Sequence, residues 1–346
     1  MRAGGLIIMR ALSVAEPWGL DQIKVIDAPD PAPGHGEVLV RMRAVSLNYR
    51  DLLMVQGMYA RGASTGGAIT PFSDGCGVVE AVGPGVTRVK PGDRVATLFF
   101  QNWVSGPPTL EKLMSALGSP IPGAGRELGV FSQDGVSKVP DFLTDQQVAT
   151  LPCAALTAWR ALFEDADLRP GATVVLQGTG GVSIFGLQFA HAAGLRTLIT
   201  SSSDEKLARA KALGADHLAN YRQDPDWSKA VRAATGGVGA DLIIEVGGGG
   251  TIEESMKAIR IGGHVAIVGV VAGFGGGFNT ASLIGNSAKL QGLSVGSRDM
   301  FEAMCRLIEL HRIQPVVDKV FPWTEVEAAF IAMRGGEHFG KIVLEF

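Results

Sequence analysis

The chain has 346 residues, enough for two domains that each bury a core. Hydrophobic residues make up 46%, charged residues 19% and the formal net charge is -3, which excludes the broad basic surface that holds phosphate backbones and makes nucleic acid an unexpected partner. Three cysteines, Cys76, Cys153 and Cys305, are too few and too scattered for a disulfide framework, and no run reaches the ~20 apolar residues of a membrane span. A cytoplasmic protein with a small-molecule partner is the expectation.

Patterned sequence begins near Met9, so residues 1–8 read as an extension, and the Leu6–Met9 run is too short for the core of a signal peptide. From Met9 to about Val95, apolar runs such as Val38-Leu39-Val40 and Gly77-Val78-Val79 alternate with Pro/Gly corners, the rhythm of an all-β, barrel-like unit. Beyond Pro140 the rhythm becomes strand, turn, helix. Strands are expected at Thr173–Gln177, Thr197–Thr200, Asp241–Val246, His264–Val268 and Leu290–Val295. Helices are expected at Gly181–Ala193, Asp204–Leu213, Met256–Ile259 and Met300–His311. Such alternation builds a parallel, doubly wound sheet, so the fold class is α/β, with six strands completing the sheet. Ser202 with Glu205 reads as the capping box that opens the second of these helices. Residues 313–346 return to short apolar runs that fit the first domain, giving boundaries of 1–140, 141–312 and 313–346.

Val174–Gln177 runs straight into Gly178-Thr179-Gly180-Gly181-Val182-Ser183 and then a helix. Glycines here let the backbone turn tightly and approach a pyrophosphate, whose charge meets the positive end of the helix. Ser183 takes the place of the third glycine and is small enough for close packing. The cofactor's second phosphate is decided at the end of the next strand. There Ser201, Ser202 and Ser203 stand where an acid would bind the ribose hydroxyls of NAD, with Lys206, Tyr221 and Arg222 as nearby donors and Asp204 and Glu205 opposing them. NADP is the expected cofactor, with NAD possible.

Several ordered stretches resemble the medium-chain dehydrogenase/reductase superfamily, and within it the zinc-independent, quinone oxidoreductase-like branch. They are Ser46-Leu47-Asn48-Tyr49-Arg50-Asp51, Asp74-Gly75-Cys76-Gly77-Val78-Val79, Lys90-Pro91-Gly92-Asp93-Arg94-Val95, Leu151–Trp159, the glycine turn and Gly340-Lys341-Ile342-Val343-Leu344. The resemblance implies a GroES-like β-barrel catalytic domain, a Rossmann domain and a homodimer joined through the latter. It also implies that Thr157 packs against the nicotinamide, that Ser201 replaces the NAD-selecting acid, and that Tyr221 lies near the 2'-phosphate. Val268, Gly269 and Val270, with Ser297 and Arg298, then border the nicotinamide and its phosphates.

Zinc enzymes of that family hold the metal with Cys, His and a second Cys, and place a Glu beside the His. Asn48 and Ser73 stand at the first two positions, Asp74 at the Glu, and only Cys153 is retained. One soft ligand does not hold a tetrahedral zinc, and a site of Cys153, Asp74 and Asn48 would be atypical, since a neutral amide is a poor zinc ligand. No zinc is expected. Without it, Asn48, Tyr49, Ser73 and Asp74 are the candidate catalytic groups. An activated acceptor such as a quinone, enone or aldehyde asks least of such donors. Tyr59, Phe99 and Trp103, with Phe100, form either a substrate pocket or ordinary core, and Asp51 reads as an ion-pair anchor for an arginine. The rival readings are an alcohol dehydrogenase with an unorthodox metal and a non-catalytic NADPH-binding protein.

Overall fold

The computed structural model describes residues 8–58, 67–275 and 279–346; Tyr59 lies outside them. The chain forms two compact units, one from residues up to Cys153 together with Gly296–Phe346, the other from Ala154–Val295. Residues 141–153 and 296–312, expected on the nucleotide side, fall in the first unit.

In the first unit β1 (Ile8–Ser13) and β2 (Lys24–Pro29) make an antiparallel pair, with Ile8 opposite Pro29, so residue 8 belongs to the fold and not to an extension. Five further strands follow: β3 (Glu37–Ser46), β4 (Asp74–Val82), β5 (Arg94–Thr97), β6 (Leu128–Ser132) and β7 (Val136–Lys138). The expected runs pair directly, Val40 opposite Val79 in antiparallel β3 and β4. Val38, Val40 and Met42 are buried while Arg41 and Arg43 face solvent, the two-residue period of a sheet with one face on a core.

The second unit is a six-stranded parallel sheet of β8 (Thr173–Leu176), β9 (Arg196–Ser201), β10 (His217–Asn220), β11 (Ala240–Glu245), β12 (Ile259–Ile267) and β13 (Lys289–Gly292). Its order is β10-β9-β8-β11-β12-β13, so the direction of winding reverses between β8 and β11. Ligands bind doubly wound sheets at such a switch point, outside the strands' C-terminal ends. Val174, Val175 and Leu176 are fully buried, as a central parallel strand covered on both faces requires. The strand absent from the expected set is β10, a short edge strand whose His217 and Leu218 are exposed, so it carries no apolar run to read. The helix Trp227–Ala234 was missed too, although Trp227, Ala230, Val231 and Ala234 have helical spacing.

The chain then returns to the first unit, where β14 (Val317–Pro322) lies parallel to β15 (Lys341–Glu345) and β15 lies antiparallel to β3, Val343 opposite Ser46. Ile342 and Leu344 thereby enter the core of Val38, Val40, Met42, Phe72 and Phe330. Gly340 makes the entry to β15 possible. Its φ is +86°, and a Cβ there would lie 2.5 Å from the carbonyl oxygen of Val316, which already accepts the Lys341 amide at 3.0 Å. Gly340→Ala is expected to destabilise the protein by about 2 kcal/mol or more, combining left-handed strain with overpacking, and denaturant unfolding checks this.

Candidate active site

The second unit brings the expected nucleotide residues together at the ends of β8, β9 and β10. Gly178, at φ +70°, and Gly180 face open space, and any Cβ added at either would enter it. That is the cradle a pyrophosphate needs, followed at once by the helix Gly181–Ala192, whose first turn holds Val182 and Ser183. Ser183 is buried and donates from Oγ to the Gln177 carbonyl at 2.6 Å, so the hydroxyl that replaces glycine secures the turn. Thr179 is also buried, and Thr200 Oγ1 accepts the Gly178 amide at 3.2 Å.

Ser201 and Tyr221 come together through their backbones, the Tyr221 amide donating to the Ser201 carbonyl at 3.1 Å while the Tyr221 side chain is exposed. Ser202 stands beside them, half-buried, but the helix Asp204–Ala212 is capped by Ser203, whose Oγ accepts the Lys206 amide at 3.3 Å. The expected cap at Ser202 is therefore shifted by one residue, because Ser203 is the last residue with extended backbone before the helix. Asp204, the acid expected to oppose a phosphate, accepts from Asn220 Nδ2 at 2.6 Å and from Gln223 Nε2 at 2.8 Å. Both of its oxygens are thereby occupied inside the loop.

Gln177 and Glu245, which the sequence did not mark, organise the switch point. Glu245 is fully buried and accepts from Gln177 Nε2 (2.6 Å), the Gly247 and Gly248 amides (2.8 and 3.0 Å), and the Thr251 and Ser255 hydroxyls. The loop so fixed accepts the Val271 and Ala272 amides at Val246 and Gly247, and the Val268 amide reaches the Glu245 carbonyl at 2.9 Å. Val268, Gly269 and Val270 thus have a defined course beside the turn. Thr157 is buried in the helical turn Leu156–Trp159.

In the first unit, Ser46 ends β3 and Asn48 caps the helix Tyr49–Val55, while Ser73 directly precedes β4 and Asp74 opens it. Phe72, just before them, is held at φ 73° with its ring stacked on Phe330 at 5.7 Å, a strained backbone that sets the direction of Ser73. Ser73 Oγ donates to Asp74 Oδ1 at 2.6 Å, and the Cys153 amide donates to Asp74 Oδ2 at 3.0 Å. Asp51 Oδ2 accepts the Asn48 amide at 2.8 Å, and Arg50 lies 3.8 Å from Asp51 Oδ1, the arginine anchor the sequence suggested. The ammonium of Lys341 closes the cluster by donating to the Leu47 carbonyl and, at 2.6 Å, to Asn48 Oδ1. Lys341 was seen in the sequence only as part of a closing motif, since nothing local shows that β15 delivers it beside residues almost three hundred positions earlier.

Asp51, Asp74 and Lys341 are all buried. Burial pushes the Asp51 carboxyl up to about 6 against the pull of Arg50. It also raises Asp74, opposed first by Lys341 and then by the polar contacts of Ser73 and Asn48, and it lowers Lys341. The Cys153 thiol is pushed up by burial and by the charge of Asp74. These residues do not fit a tetrahedral zinc. Both Asp74 oxygens are engaged, the amide oxygen of Asn48 is taken by an ammonium, and Cys153 is the only soft donor. Among the described residues no three His, Cys, Asp or Glu side chains converge in a way that holds a metal ion.

Tyr49 is 38% exposed, and so the one candidate catalytic group open to solvent, whereas Ser73 and Asp74 are fully buried. Phe99, Phe100 and Trp103 pack on one another with centroids 4.7 and 5.5 Å apart and are buried, and Arg50 lies over Phe99 at 4.6 Å. They form core behind the ion cluster. Ser297 is buried and donates to Asp299, and Arg298 pairs with Asp134 and, at 3.6 Å, with Glu302. Arg298 therefore belongs to an ion network of the first unit.

The Asp51 shift carries a sign. Its folded pKa lies above the unfolded value, so its contribution to stability is complete below about pH 4 and is lost as pH rises through about 6. Asp51→Asn keeps an oxygen for the Asn48 amide and removes this loss. Between pH 4 and 7 the wild type should lose about 3 kcal/mol relative to the variant, read from denaturant titrations at each pH.

Two family profiles match the chain, that of the alcohol dehydrogenase GroES-like domain over residues 34–141 and that of the zinc-binding dehydrogenases over residues 181–309. A zinc-type alcohol dehydrogenase-like protein of Schizosaccharomyces pombe is 41% identical over 334 residues, 94% of this chain and 96% of that one. The quinone oxidoreductase of Rattus norvegicus is 28% identical across 99% of both chains. Among solved structures, an NAD-dependent alcohol dehydrogenase superposes with a TM-score of 0.89 at 32% identity, covering 98% of this chain and all of the other. A mycobacterial protein solved in complex with NADPH superposes at 0.83 and 27% identity, with the same coverage. The chain belongs to the medium-chain dehydrogenase/reductase superfamily and is an oxidoreductase of its alcohol dehydrogenase-like, pyridine-nucleotide-binding kind.

Proposed function

We propose that this protein is an NADP(H)-dependent reductase of a quinone, enone, aldehyde or ketone that works without catalytic zinc. The observation that carries the reading is the Lys341 ammonium on Asn48 Oδ1, which puts a positive charge among the residues that stand where relatives carry a metal. When bound, the nicotinamide supplies the hydride. The chain's part is to set the acceptor beside the exposed Tyr49 and to pass it a proton from the Tyr49 hydroxyl, which solvent replenishes. Asn48, Ser73 and Asp74 are too buried to reach an acceptor and act by fixing the floor beneath it. A cytoplasmic homodimer is part of the same reading; among the described residues no helix is long and apolar enough to cross a membrane.

The NADP preference is supported by the Ser201–Tyr221 backbone pairing, which sets the exposed Tyr221 beside the serine-rich end of β9, and by Asp204, whose two oxygens are occupied by Asn220 and Gln223. Tyr221→Ala should weaken NADPH binding on the order of tenfold while leaving NADH within about twofold, measured by quenching of protein fluorescence. Equal losses for both nucleotides remove the role.

The zinc-type relatives favour a second reading, alcohol oxidation with a bound metal. Loss of reduced-nicotinamide absorbance with quinones, enones, aldehydes and ketones, before and after chelation, separates the two. Consumption of NADPH that survives chelation is the expected result. Activity that disappears on chelation and returns with zinc establishes the second reading.

A further inference from the structure

Gln177 is the residue immediately before Gly178, and its side-chain amide is engaged at both ends. Nε2 donates to Glu245 at 2.6 Å and to Ser255 Oγ at 2.9 Å, while Oε1 accepts the Val246 and Gly247 amides at 3.1 and 3.3 Å. Its backbone carbonyl accepts the Ser183 hydroxyl, which ties the same residue to the helix after the turn. Backbone amides can only donate, so Val246 and Gly247 oblige Gln177 to offer them its oxygen and to turn its NH2 toward Glu245. Glu245 must answer with an acceptor there and keep its other oxygen for the Gly247 and Gly248 amides. The two side chains therefore have no freedom to exchange roles, and a buried donor set against a donor is costly. Ser201, at the end of β9, bonds instead to the amides of Ser203 and Tyr221.

We infer that Glu245 is a positioning residue for the dinucleotide. Through Gln177 it holds the turn from Gly178 to Val182 in the shape that receives a pyrophosphate, and so governs that part of the cofactor's affinity separately from the adenylate part bound at the end of β9. This rests on the NADP(H) reading above and adds to it two buried residues that act through the turn. The Gly178 amide is engaged by Thr200 Oγ1, so the anion falls to the amides that open the helix Gly181–Ala192, which have no partner within the helix. Their direction is set by the turn before them. A turn already held in its bound shape loses little ordering entropy when the anion arrives.

The test compares Glu245→Gln, which keeps the size of the side chain and sets two amide NH2 groups face to face, with the double variant Gln177→Glu/Glu245→Gln, which exchanges carboxylate and amide and gives each backbone donor an acceptor again. Binding is read by calorimetry with NADPH and with adenosine 2',5'-bisphosphate, which carries the adenylate half and its 2'-phosphate but no pyrophosphate. Glu245→Gln should weaken NADPH on the order of tenfold and leave the bisphosphate within about twofold, and the exchange should return NADPH to within about threefold of wild type. Equal losses for both ligands, the mark of a generally softened domain, overturn the inference. So does wild-type NADPH affinity in folded Glu245→Gln, or a double variant that binds no better than the single one. Should Glu245→Gln not fold, Gln177→Met decides the matter, because it keeps the length of the side chain, removes its hydrogen bonds and leaves Glu245 the Gly247 and Gly248 amides. A selective loss of NADPH then supports the inference, and an unchanged affinity sinks it. Wild-type protein that binds neither NADPH nor NADH removes the cofactor reading itself, a result distinct from a wild type that binds NADPH no more tightly than folded Glu245→Gln.

Discussion

The buried ion cluster of Arg50, Asp51, Asp74 and Lys341 is the constraint around which the first unit is arranged. Charges taken out of water at such depth are stable only if each finds opposite charge and hydrogen bonds. Each of the elements that meet here supplies one part: the helix Tyr49–Val55 gives Arg50 and Asp51, β4 gives Asp74, and β15 gives Lys341. The Cys153 amide, in the irregular helical turn Leu151–Ala155, supplies a hydrogen bond to Asp74 in place of a helical one. Displacing any one of them leaves an uncompensated charge, and so the cluster fixes the register of strands and the orientation of Asn48 together.

The second unit solves a different problem, that of holding the loops at its switch point. Glu245 is a buried carboxylate met by five donors, so hydrogen bonds do the work that ion pairs do in the first unit. The carboxylate ties the loop after β11 to Gln177 at the end of β8, the two strands on either side of the switch point. Gly178 and Gly180 then open between them. A rigid frame around an open turn is what a pyrophosphate-binding loop requires.

Much of this was legible in the residues. The glycine turn after a buried strand is a local pattern with a physical meaning of its own, the serine-rich end of β9 carried two readings, and Asn48 and Ser73 gained their meaning only from resemblance to zinc-holding relatives. What the residues did not reveal were β10 and the helix Trp227–Ala234, the cap at Ser203, and the core role of Phe99, Phe100 and Trp103. An edge strand buries too little to leave a hydrophobic signature, a cap depends on the backbone angle at a single residue, and an aromatic cluster looks the same in sequence whether it lines a pocket or fills a core. Arg298 was placed beside the cofactor by resemblance, and the ion pair it makes with Asp134 depends on a segment more than a hundred and sixty residues away, whereas its pair with Glu302 lies within one helix.

The sequence by itself determined the fold class, the dinucleotide turn and the poverty of metal ligands, because these depend on hydrophobic period, on glycine at fixed spacing and on side-chain chemistry. Tertiary structure alone decided which groups act together. Lys341 and Asn48 meet because β15 adds to the edge of β3, and Gln177 and Glu245 meet because β8 and β11 are neighbours in the sheet. Both pairings are fixed by strand order, a long-range choice made by burial of whole strands, which no window of the sequence contains.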